Sequence, residues 1–138
     1  MSYLVIKGLS ARLKGTRFPI LRDVSLTVDT GEVHGLVGES GAGKSMIGKA
    51  VLGILPASIE ITKGVIELDG VDLLQLPPSE RRRRIGATAA LIPQDPLTAL
   101  NPSRRIGPQI TDRLVDILHW PRARAEARAL DLLAEVHI

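Results

Sequence analysis

Residues 33–55 read VHGLVGESGAGKSMIGKAVLGIL, and the reading of the whole chain turns on them. An apolar run is followed by a tight glycine-rich turn and then by apolar residues at helical spacing. Gly38, Gly43, Lys44 and Ser45 satisfy G-x-x-x-x-G-K-[ST] in the strand-loop-helix setting that a phosphate-binding loop requires. With glycine at ~7% of average usage, two glycines at this spacing recur about once in 200 windows. It is the added lysine, serine and setting that make the motif specific. Without a ligand the same residues would be only a glycine-rich turn from strand to helix.

The chemistry follows from the residue types. Gly41 and Gly43 lack a Cβ, so the backbone can turn sharply and aim its N–H groups at phosphate oxygens. A helix beginning near Gly43 adds unpaired N–H groups and the positive end of its dipole. Lys44 supplies a point charge for the β- and γ-phosphates, and the Ser45 hydroxyl suits Mg²⁺. A metal-complexed polyphosphate is the expected ligand. Gly38, Glu39, Ser40, Gly41, Ala42, Gly43, Lys44, Ser45 and Met46 form its expected binding segment.

Working outward, residues 3–6 read as a first strand, followed by a polar, glycine-containing segment to Arg17. Val24, Leu26 and Val28 alternate with Ser25 and Thr27, which is strand periodicity. The turn Asp29-Thr30-Gly31-Glu32 leads into residues 33–37, expected to be a strand buried on both faces. Met46, Ile47, Ala50, Val51 and Ile54 should share the core face of the following helix, with Pro56 as its stop. Residues 64–73, GVIELDGVDL, predict a strand and an Asp69-Gly70 turn. Pro78-Ser79-Glu80 opens a helix through Arg81, Arg82, Arg83 and Arg84.

Residues 88–92 read as another buried strand, ending in Pro93-Gln94-Asp95-Pro96, where the prolines leave Gln94 on a loop. From Ile106 the pattern turns helical, with Ile106, Ile110, Leu114, Ile117 and Leu118 on one face. His119-Trp120-Pro121 breaks it, and a second helix from about Arg122 carries Leu130, Leu133, Ala134 and Val136.

Composition sets the bounds. At 138 residues, 44% hydrophobic and 24% charged, the chain has the length of one globular domain. No apolar run approaches the ~18 residues of a membrane span, and no secretory signal is expected. With no cysteine, disulfides and thiolate metal sites are excluded. The net charge of +3 is concentrated in Arg81 to Arg84. Aromatic residues are only 2%, so base-stacking platforms are missing and the run reads as a solvated helix face, with no nucleic acid expected.

GESGAGKS and QDPLTALNP, in this order and separated by GVIELDGVDL, resemble the ATP-binding subunits of ABC transporters, most of all the peptide/nickel importer branch. The resemblance runs from Tyr3 to Ile138. It implies an α/β fold, a P-loop NTPase (RecA-like) core with an N-terminal β subdomain over residues 1–97 and the start of a helical subdomain over 98–138. It also implies ATP and Mg²⁺ as cofactors, and transmembrane permease subunits and a second ATP-binding subunit as partners. The implied location is peripheral, on the cytoplasmic face of the plasma (inner) membrane.

By position, Gln94 would be the family's glutamine that contacts the metal or attacking water and reports nucleotide state to the permease, and Lys44 its catalytic companion. Residues 97–106 are the implied docking surface. Leu13 stands where an aromatic ring usually stacks on adenine, with Phe18 as a substitute. Met46 stands where a phosphate-touching threonine is common. The segment DLLAEVHI resembles the helix that precedes the family's signature motif, so the motif, the Asp-Glu pair and the switch histidine fall outside these residues. The expectation is therefore a truncated importer ATPase that binds nucleotide better than it hydrolyses it, with residues 33–37 left as an unpaired edge. The alternative is a non-catalytic nucleotide-binding or interaction module, and a nucleic-acid-directed relative is a third reading.

Overall fold

The structure is a computed structural model and describes residues 2–95 and 99–138; Pro96 and the first positions of the expected docking surface, Leu97 and Thr98, lie outside the described residues. Two compact units divide at Arg82.

The first unit is built on an antiparallel sheet in the order β2-β1-β3-β4, from β1 (Ser2–Leu13), β2 (Pro19–Asp29), β3 (Ile59–Leu68) and β4 (Val71–Asp72). Its core comprises Ile6, Leu9, Ala11, Leu21, Ile66, Leu68 and Leu73. Asp69 and Gly70 both have positive φ, 51° and 74°, as expected of the primed turn that matches strand twist.

Strand β1 is longer than the sequence suggests. Gly8 was expected to lie past its end, but the strand continues through an irregularity in register shared by β1, β2 and β3. Hydroxyl groups complete the backbone bonding there. The Gly8 N–H donates to Ser25 Oγ at 2.9 Å, the Asp23 N–H donates to Ser10 Oγ at 3.0 Å, and the Thr62 hydroxyl donates to the Ser10 carbonyl at 3.2 Å. Gly64 sits at the same crossing with φ 113°, and a Cβ on it would lie 2.5 Å from Leu9 Cα. Only glycine permits this approach of two backbones.

The two strands expected at residues 33–37 and 88–92 do not form. Val33 and Val37 are 98% and 99% exposed and Ile92 is 94% exposed. Among the described residues neither segment has a neighbouring strand, and an extended chain without a ladder leaves its N–H and C=O groups to water.

Helix α1 (Lys44–Val51) follows the glycine-rich turn. It stops at Gly53, φ 67°, rather than at Pro56. The Ile54 N–H bonds to the Lys49 carbonyl at 2.9 Å and the Gly53 N–H to the Ala50 carbonyl at 3.1 Å, the pairing of a Schellman cap. Ile54 therefore lies beyond the helix, half exposed, instead of on its core face.

Helix α2 (Pro78–Thr88) begins where expected and runs across the division between the units. It takes in Thr88, which had been expected to open a strand. In the second unit, α3 (Ile106–Asp112) passes into a π-helical turn (Arg113–Ile117), and α4 (Arg122–Glu135) follows the break at His119-Trp120-Pro121. Thr111, Ala125 and Ala129 are buried, while Leu130, Ala134 and Val136, expected to face a core, are exposed and Leu133 is half-buried. The Arg124 guanidinium stacks 4.0 Å from the Trp120 ring centre.

Candidate phosphate-binding site

The glycine-rich turn is positioned by β2. A Cβ on Gly43 would lie 3.0 Å from Leu21 Cδ2 and 3.4 Å from the Ile20 carbonyl, so the turn packs closely on the strand. Gly41 and Gly43 adopt φ 86° and 85°, a conformation that costs an L-residue with a side chain about 1–3 kcal/mol.

The loop folds around Lys44. The ammonium donates to the carbonyls of Gly38 at 2.7 Å and Glu39 at 2.6 Å, while the Ala42 N–H donates to the Glu39 carbonyl at 3.2 Å. Gly38 packs beside Ala42 and the Lys44 stem, a Cβ there standing 3.4 Å from Ala42 Cβ and 3.9 Å from Lys44 Cδ. The amides of Gly41, Gly43, Lys44 and Ser45 make no hydrogen bond within the described residues. Ser45 stands exposed at the start of α1. Four N–H groups without an internal partner, a lysine and a helix N-terminus on one short loop are groups of the kind that bind a multiply charged anion. The Met46 N–H is already engaged by the Gly43 carbonyl at 2.9 Å.

Just upstream, the turn into this region is closed by Glu32. Its Oε2 accepts from the Asp29 N–H at 2.7 Å, and its Oε1 lies 3.4 Å from His34 Nδ1. The backbone bond and then the histidine hold the Glu32 carboxyl below the usual glutamate range.

Leu13 ends β1 and donates its N–H to the Phe18 carbonyl at 3.0 Å, so the two candidates for base contact face each other across one hairpin. Phe18 is 64% exposed and Leu13 36%. Phe18 also lies two residues before Ile20, whose carbonyl meets Gly43. Gln94 belongs to the second unit, exposed on an irregular segment that follows α2. Among the described residues no group of three or more His, Cys, Asp or Glu could hold a metal ion. Gln109, which bonds to the main chain at Asn101, Arg104 and Arg105, and Arg113, which bonds to the Gly86 and Ala87 carbonyls, were not singled out by the sequence. Their partners are main-chain carbonyls, which carry no residue signal.

The profile of the ABC transporter family matches residues 21–138. The chain belongs to the ABC transporter family. Among curated relatives, it is 46% identical to a probable D,D-dipeptide transport ATP-binding protein (DdpD) of Escherichia coli (strain K12), over 86% of this chain and 36% of that protein. It is 38% identical to the dipeptide transport ATP-binding protein DppD of the same strain, over 100% of this chain and 43% of that protein. A peptide transport system ATP-binding protein (SapD) of Salmonella typhimurium is 38% identical over 83% of the chain.

A solved structure described as an ATP-binding subunit of an ABC transporter superposes with a TM-score of 0.69 at 30% identity, covering 96% of this chain and 50% of that one. The chain thus spans well under half the length of the curated relatives it matches. The resemblance drawn from GESGAGKS and QDPLTALNP, and the α/β fold family it implied, are borne out. Among the described residues no helix is long and apolar enough to cross a membrane.

Proposed function

We propose that this chain binds Mg-ATP in the loop 38–45 as the nucleotide-binding part of an ATP-driven importer, with peptides as the transported class. The observation that supports the reading is the presence, on one short loop with the Lys44 ammonium, of N–H groups without an internal partner at Gly41, Gly43, Lys44 and Ser45. Glu39, Ser40 and Ala42 complete the loop that would surround the β- and γ-phosphates, and Ser45 would hold Mg²⁺ with Gln94 as a second contact. Bound Mg²⁺ supplies charge neutralisation of the phosphate oxygens. Lys44 exchanges its carbonyl partners for phosphate oxygens, a stronger charge-assisted contact. Gln94, with an amide able both to accept from water and to donate to oxygen, orients the attacking water.

Phe18 is the only phenylalanine of the chain, and its exposure supports it over Leu13 as the ring that stacks on the base. Base stacking on an aromatic is worth about 1–3 kcal/mol. Residues 1–97 constitute the nucleotide-binding part and 98–138 a helical part. Membrane permease subunits and a second ATP-binding subunit are the partners, and the site of action is the inner face of the membrane. The names of the relatives, which include two dipeptide-transport proteins, support the peptide assignment.

Titration calorimetry with Mg-ATP tests the reading. Lys44→Ala should abolish measurable binding, and Phe18→Ala should weaken it roughly 5- to 150-fold, the equivalent of about 1–3 kcal/mol. Unchanged affinity in Lys44→Ala would overturn the proposal.

A further inference from the structure

Two side chains one helical turn apart hold the backbone on either side of Gln94. On the upstream side, Arg113 donates through Nε to the Gly86 carbonyl at 2.8 Å and through Nη2 to the Ala87 carbonyl at 3.2 Å. These carbonyls belong to the last turn of α2, where the helix supplies no N–H for them. The planar fork of arginine suits two successive carbonyls in a way a single ammonium does not. Ile117 packs over Gly86, three of its carbons lying 3.4 Å from where a Cβ would stand.

On the downstream side, the Gln109 carboxamide engages one short loop. Its Oε1 accepts from the Asn101 N–H at 2.7 Å, and its Nε2 donates toward the carbonyls of Asn101, Arg104 and Arg105 at 3.0, 3.1 and 3.3 Å. The loop is braced further by the Ser103 N–H on Asn101 Oδ1 at 2.9 Å and by an ion pair of Arg104 with Asp112 at 2.8 Å. Gln109 and Arg113 stand at positions i and i+4, so both grips come from one face of one helix. Gln94 lies midway in sequence between Ala87 and Asn101.

We propose that Gln109 and Arg113 are positioning residues that fasten the two flanks of the Gln94 segment to a single helix, so that any tilt of that helix moves both flanks together. The inference rests on the role given to Gln94 under Proposed function. It adds the device that sets where the Gln94 backbone can go. Because each grip is made through backbone atoms, the device tolerates changes in the side chains between its two ends.

Amide hydrogen exchange on the 138-residue chain provides the first test. Arg113→Met should raise exchange in the last turn of α2, at 85–89, and Gln109→Met at 101–105, each by roughly tenfold, as expected for the loss of bonds that hold a local segment closed. The α4 amides should stay as they are. Gln109→Glu should loosen 101–105 as much as Gln109→Met does, because a carboxylate faces three carbonyls with nothing to donate. Arg113→Lys, with one cationic donor site, should restore part of the protection and serves where Arg113→Met fails to fold. Exchange unchanged at both flanks, or rising equally through α4, would overturn the proposal.

The second test is ATP turnover by the protein with its membrane subunits. Both Met variants should lower kcat by about tenfold and leave KM for ATP within about twofold, with partial recovery in Arg113→Lys; an unchanged kcat despite loosened flanks would overturn the proposal. If the wild-type chain fails to bind ATP, the functional reading falls while the exchange result still decides whether the flanks are fastened.

Discussion

Strand β3 and the segment 33–37 are both rich in apolar residues, yet Ile66 of β3 is fully buried and Val33 is 98% exposed. The difference lies in where each finds a partner. Strands β3 and β4 are joined by a two-residue turn, and β1 and β2 by a short hairpin loop, so each ladder closes after little loss of chain entropy. A parallel strand needs a crossover of a dozen or more residues and a neighbour at its far end. Segments 33–37 and 88–92 have no such neighbour among the described residues, and their apolar side chains remain in water. Apolar composition makes a strand possible, and a partner makes it form.

The greatest test of this contrast is Gly64→Val. It forces a side chain into 2.5 Å contact with the β1 backbone at a left-handed φ and should destabilise the sheet by about 3 kcal/mol or more in urea titration. A loss below ~1 kcal/mol would mean that the crossing of β1 and β3 relaxes without consequence. Next in size, Ile66→Ala removes a fully buried side chain and should cost about 2–5 kcal/mol by the same measurement.

The opposite arm of the comparison predicts almost nothing. Val33→Asp and Ile92→Asp, both at exposed positions, should change stability by no more than about 0.5 kcal/mol. A loss of ~2 kcal/mol from either would show that its segment packs after all.

The smallest effect concerns pH. The Glu32 carboxyl is held below its ordinary value, so its bond to the Asp29 N–H is fully present above the unfolded-state glutamate pKa and is lost as pH falls through the lower folded value. Followed by NMR, the Asp29 amide shift should therefore titrate with a midpoint below the usual glutamate range. A midpoint at or above that range would remove Glu32 from the turn that joins the sheet to segment 33–37.

Parts of both regions were legible beforehand because their causes are local. Asp69-Gly70 specified its turn through the two residues best able to adopt positive φ, and Pro78-Ser79-Glu80 announced α2. Other features depended on distant groups. Gly8 looked like the end of a strand because the hydroxyls of Ser10 and Ser25, which sustain the irregularity, come from elsewhere in the ladder. Gly53 took the stop of α1 away from Pro56 because a left-handed glycine satisfies the last carbonyls sooner than a proline can interrupt the chain. The π-helical turn at Arg113–Ile117 had no sequence signal at all.

The internal geometry of the glycine-rich loop 38–45 is the part that the sequence determined by itself. Its glycines, lysine and serine act on atoms within a few residues of themselves, so their order along the chain sets their geometry. Tertiary structure alone decided which apolar segments became strands and which helix fastened the flanks of Gln94. Both outcomes rest on hydrogen bonds to backbone groups far away in the chain, and backbone groups are alike at every residue, so no residue type marks them in advance.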